Sequence, residues 1–117
     1  MFDMNQNKLL VLDINSTETE AIRESFSTME KKLKNINGES VKFLLDFHSL
    51  RLTNELMEIL TGFYSASKTY ISDIAACGTG SGVRRIILES TGIPFLFAED
   101  QKEGREMLED QEKDLLQ

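Results

Sequence analysis

The sequence is short of staples and anchors. It carries one cysteine, Cys77, so no internal disulfide can form. Small secreted domains usually hold several cysteines, so this one suits a reducing compartment. No apolar run approaches the ~20 residues a membrane helix needs. The start, Met1 to Asn7, has no basic region followed by an apolar stretch, so it does not read as a signal peptide. The expectation is a soluble, cytoplasmic protein with no membrane partner.

Positive charge is also scarce. Thirteen Lys and Arg face twenty Asp and Glu, a net charge of −7. Nucleic-acid binding needs cations to displace counterions from phosphates, so no nucleic-acid partner is expected. From Glu99 to Gln117 eight carboxylates stand against Lys102, Arg105 and Lys113. A solvated helix face explains them, and an acidic docking edge is the sharper alternative.

What remains is a pattern. With 117 residues the chain suits one domain, spanning residues 1–117, with enough core to fold without metal or disulfide. Lys8 to Ile14 is a short apolar run, as in a strand buried on both faces. Thr17 and Glu20 have capping-box spacing. Ile22, Phe26, Met29, Leu33 and Ile36 then fall on one helical stripe, stopped by Asn37-Gly38.

The alternation continues from Val41 to Phe47, a second strand. Thr53 or Asn54 can cap the next helix, whose buried face is Leu56, Met57, Leu60, Phe63 and Tyr64. Ile71 to Cys77 is a third strand. A glycine-rich turn, Gly78 to Gly82, follows with Ser81 as N-cap, and Val83, Ile86 and Ile87 supply the third helix with its stripe. Thr91-Gly92-Ile93-Pro94 breaks that helix, and Phe95 to Ala98 is the fourth strand. Asp100 can cap the last helix, where Met107, Leu108 and Leu115 are the expected buried positions. Strands alternating with helices predict an α/β fold with a mainly parallel, four-stranded sheet of successive β-α units.

Chemistry-bearing motifs are weak. His48 follows a strand end, where open α/β sheets place ligands, and Asp46 is on the same face. No nucleophile is fixed beside them and too few ligands accompany them for a metal, so no enzyme, cofactor or metal is expected. Cys77 reads as a small buried residue. Gly78, Gly80, Ser81, Gly82 and Arg84 can cradle a nucleotide or other anion, but the spacing is neither a P-loop nor a dinucleotide fingerprint. Gly104 falls on the apolar face of the last helix, which suggests a close approach to the sheet or to another subunit.

Three segments give the chain a family look. Val41 to Leu50 (VKFLLDFHSL) is a hydrophobic strand ending in Asp-x-x-x-Leu. Val83 to Phe97 (VRRIILESTGIPFLF) runs helix, glycine break, short strand. Glu99 to Leu108 is a closing helix with an acidic start. In order and spacing these resemble the STAS superfamily of bacterial anti-sigma-factor antagonists and sulfate-transporter tails, with stand-alone STAS-like proteins most similar. The resemblance covers roughly Lys8 to Gln111. It implies a regulatory module that binds another protein, a kinase or anti-sigma-type partner, through His48, Arg51, Thr53, Asn54, Glu55 and Glu58. The family's phosphorylatable Asp-Ser-x-Gly is absent. Arg51 to Leu56 stands in its place, with Thr53 the one hydroxyl open to phosphorylation. Family members often have a further N-terminal strand, which here would fall before Lys8. A homodimer through an open sheet face or edge is a further expectation. The alternative function, from the glycine loop, is anion or nucleotide binding.

Overall fold

The computed structural model describes residues 9–35, 40–80 and 82–116, with side chains assigned up to Glu109. The elements are β1 (Leu9–Asp13), α1 (Thr19–Lys34), β2 (Val41–Asp46), α2 (Asn54–Ser67), β3 (Ile71–Cys77), α3 (Gly82–Glu89), β4 (Phe95–Phe97) and α4 (Gln101–Leu116). A single 3₁₀ turn, Lys68–Tyr70, joins α2 to β3. All four strands are parallel and lie in the order β1-β2-β3-β4. The expected α/β sheet of successive β-α units is what forms. No helix of the described residues is long and apolar enough to cross a membrane.

The two faces of the sheet are covered differently. One core joins Ile22, Phe26, Met29 and Leu33 of α1 and Leu56, Leu60 and Phe63 of α2 to Phe43, Leu45 and Ile74 of the sheet. Phe63 sits at its middle, with ring centroids 5.0 Å from Phe26 and 5.4 Å from Phe43. The opposite face, Leu44, Ala75 and Cys77, is closed by α4 through Leu108, with Ala98 just after β4 beside it. This twofold covering is why Phe43-Leu44-Leu45 of β2 and Ile74-Ala75-Ala76 of β3 are continuously apolar.

Gly104 lets α4 come close. A Cβ there would stand 2.7 Å from Leu44 Cδ1. Of the two explanations open from sequence, approach to the sheet is the one realised.

Helix starts partly follow the expected caps. Thr53 caps α2, its Oγ1 accepting from Leu56 N at 3.1 Å, so the choice between Thr53 and Asn54 falls on Thr53. Such a cap contributes about 1 kcal/mol. Asp100 caps α4, accepting from Glu103 N at 2.9 Å. The Thr17–Glu20 box does not form. Helix α1 begins at Thr19, its N-cap is Glu18, and Ser16 Oγ accepts from Glu18 N instead. Ile36, Asn37, Gly38, Ser81 and the residues before Leu9 lie outside the described residues, so the caps and the further strand expected there do too.

Helix α3 departs most from expectation. Val83, Ile86 and Ile87 do not face the core: they are 66%, 64% and 36% exposed. Leu88 is its buried residue. The opposite side of the helix turns inward and is held by its arginines. Arg84 donates from Nη1 to the carbonyls of Ser49 and Thr79, at 3.1 and 3.2 Å. The Arg85 guanidinium lies 5.6 Å from the centre of the Phe97 ring. Charged groups can anchor a helix when their stems pack and their heads find carbonyls or an aromatic face. Apolar periodicity alone does not say which side of an eight-residue helix wins.

Candidate functional site

In parallel register, Asp13 pairs with Asp46 and Asp46 with Cys77. These three residues form a row across the C-terminal ends of β1, β2 and β3. They sit on the face that α4 covers, because Val11, Leu44 and Ala75 two residues earlier pack there. Sheets of this kind gather ligands at the carboxyl ends of their strands.

Two further side chains close over the row. His48 Nε2 lies 2.8 Å from Asp13 Oδ1 and 3.5 Å from Asp46 Oδ2. Gln101, the first residue of α4, donates from Nε2 to Asp13 Oδ1 and to Asp46 Oδ2, each at 2.8 Å. The start of a helix is a favourable place for carboxylates. Asp46 is nearly buried, whereas Asp13 and His48 are open to solvent.

The loop that brings His48 over the row is unusual. His48 and Ser49 both have positive φ, 50° and 58°. Left-handed backbone in two successive non-glycine residues is costly and needs support from its surroundings. Two hydrogen bonds supply that support. Asp46 Oδ1 accepts from His48 N at 2.9 Å, and Gly78 O accepts from Ser49 N at 2.6 Å. Gly78 itself has φ +67°. A Cβ there would meet the Asp46 carboxylate and stand 2.7 Å from His48 N.

Cys77 closes the row on the third strand. Burial, then the charge of Asp46 and a hydrogen bond with it, push its thiol from 9.0 up to about 12. A thiol so raised is a poor nucleophile. We expect Cys77 to resist alkylation by iodoacetamide at pH 8 in the native protein and to react on unfolding. Native-state labelling at the rate of a free thiol contradicts this environment. The sign for stability follows. The unfolded thiol ionises first, so this contribution to stability is full below pH 9 and is lost as pH rises towards 12.

The other residues marked out from sequence fall into two groups. Arg51, Asn54, Glu55 and Glu58 are exposed beside His48, along the β2–α2 loop and the start of α2. Thr53 is half-buried with its hydroxyl committed to the cap. In the glycine loop, Gly78 and Gly80 have positive φ, and Gly82 opens α3. Arg84 bridges this loop to Ser49 rather than pointing outward alone. The Asp46 carboxylate against Gly78 argues electrostatically against an anion at that end of the loop.

Asp13 and Gln101 were not marked out from sequence. The available signal was that β1 and β2 both end in Asp after an apolar run, which parallel pairing sets side by side. Gln101 carries no local signal, since only the return of α4 across the sheet brings it there. No family model, curated protein or solved structure matches the chain.

Proposed function

We infer that the domain is a protein-interaction module of regulatory type, as the resemblance to STAS domains implies. Its binding surface combines the β2–α2 loop, the start of α2 and the outer side of α3. One observation carries this reading: Val83, Ile86 and Ile87 form an exposed apolar stripe. Contiguous exposed apolar side chains mark interaction sites more often than scattered ones do. Arg84, on the inward side of α3, ties that helix to the loop bearing His48, Ser49 and Arg51. Arg51, Asn54 and Glu55 are exposed along that loop and the start of α2. The raised thiol of Cys77 speaks against that residue as a nucleophile.

The test is affinity capture with wild type beside Ile86→Glu, Arg51→Glu and Thr53→Glu, each checked for folding by circular dichroism. A partner held by wild type and weakened by roughly 30-fold or more in Ile86→Glu supports the surface, as for a central apolar contact worth ~2 kcal/mol. Further loss in Thr53→Glu but not in Thr53→Ala supports a phosphate-type switch at the start of α2. A partner indifferent to both Ile86→Glu and Arg51→Glu overturns the reading.

A further inference from the structure

The Asp13–Asp46–His48 constellation shares only His48 with the interaction surface just described, and its chemistry differs from that of the apolar stripe. We propose that it is a binding site for a single divalent transition-metal ion of the zinc type, with Asp13, Asp46 and His48 as ligands and Gln101 as a fourth donor.

The donors come from β1, β2, the β2–α2 loop and the start of α4, so the fold itself assembles them. One ligand atom from each of Asp13, Asp46 and His48 lies within 4.8 Å of the others. Zinc bonds of ~2.0 to 2.1 Å place tetrahedral ligand atoms roughly 3.4 Å apart. The 3.5 Å from His48 Nε2 to Asp46 Oδ2 already matches that edge. The 2.8 Å from His48 Nε2 to Asp13 Oδ1 must open by about half an ångström. Both Asp13 and His48 are exposed enough to move, with side chains 47% and 42% accessible. Gln101 reaches both carboxylates at 2.8 Å, and a half-turn of its amide presents Oε1 in place of Nε2.

The donor set also selects the ion. Imidazole beside carboxylates suits zinc and its first-row neighbours. Calcium takes six to eight oxygens, and magnesium prefers oxygens and its own waters. Three protein ligands with one weak or exchangeable fourth position match zinc's open sites.

The β2–α2 loop, fastened to Gly78 through Ser49 N, holds His48 over the two carboxylates.

The experiment uses the untagged full chain, stripped with chelator and titrated with ZnCl₂ by calorimetry and with CoCl₂ by visible absorption. Wild type should take up one equivalent and show the d–d bands of low-symmetry cobalt. His48→Gln and Asp13→Asn, at exposed positions where folding is retained, should each weaken zinc by roughly 100-fold, and Gln101→Leu by about 10-fold. Zinc should raise the melting temperature of wild type but not of His48→Gln. Three outcomes overturn the proposal: no uptake at millimolar zinc, uptake unchanged in both His48→Gln and Asp13→Asn, or uptake lost in Cys77→Ser but kept in His48→Gln.

Discussion

Replacing Gly78 with alanine is expected to cost the fold about 3 kcal/mol. Forcing a Cβ into left-handed backbone costs ~1 to 2 kcal/mol, and crowding a packed site adds ~1 to 3 kcal/mol. At Gly78 both apply. Its φ is +67°, and the new methyl would meet the Asp46 carboxylate and the backbone nitrogen of His48. Neither neighbour is the free end of a flexible chain, because Asp46 Oδ1 is held by His48 N and Ser49 N is held by Gly78 O. Urea denaturation checks this, with the midpoint falling while the slope is unchanged. Gly62 is the matched control. A Cβ there meets nothing within 4 Å and lies inside α2, so Gly62→Ala should stabilise by up to ~1 kcal/mol. If Gly78→Ala behaves like Gly62→Ala, the packing of His48 over the row is wrong.

Truncating Phe63 should cost as much or more. Phe→Ala in a core typically loses ~3 to 5 kcal/mol, from transfer and from the cavity left behind. Phe63 is 4% exposed and its ring joins Phe26 of α1 to Phe43 of β2. Its removal therefore loosens both helices of that layer from the sheet at once. Against a total stability of ~5 to 15 kcal/mol, this approaches the limit of what a domain tolerates. Phe63→Leu keeps most of the volume and should cost under ~1.5 kcal/mol. Equal midpoints for Phe63→Ala and wild type rule out the three-ring contact.

Most of the architecture was legible because it rests on local signals. Ile22, Phe26, Met29 and Leu33 repeat at helical spacing and all face the core. Ile71 to Cys77 reads as a strand and is one. Thr53 and Asp100 cap because their side chains reach amides three residues on. Helix α3 departs from its sequence pattern for a physical reason. Its stripe of Val83, Ile86 and Ile87 is real, but the opposite side offers Leu88 with two arginines that find carbonyls and a ring. Both sides can pack, and tertiary context chose the second. The polar row was half legible. His48 and Asp46 are two residues apart, whereas Asp13 and Gln101 arrive from distant parts of the chain.

The order of the strands shapes how the protein is made. Each strand pairs only with its neighbour in sequence, so the sheet can grow as the chain leaves the ribosome, with α1 and α2 docking on one side as they appear. The other side has to wait. Leu44, Ala75 and Cys77 stay bare until α4 is synthesised and Gly104 settles against Leu44. Until α4 is made, that apolar sheet face has no helix over it, so the last helix completes a core that the first two cannot reach.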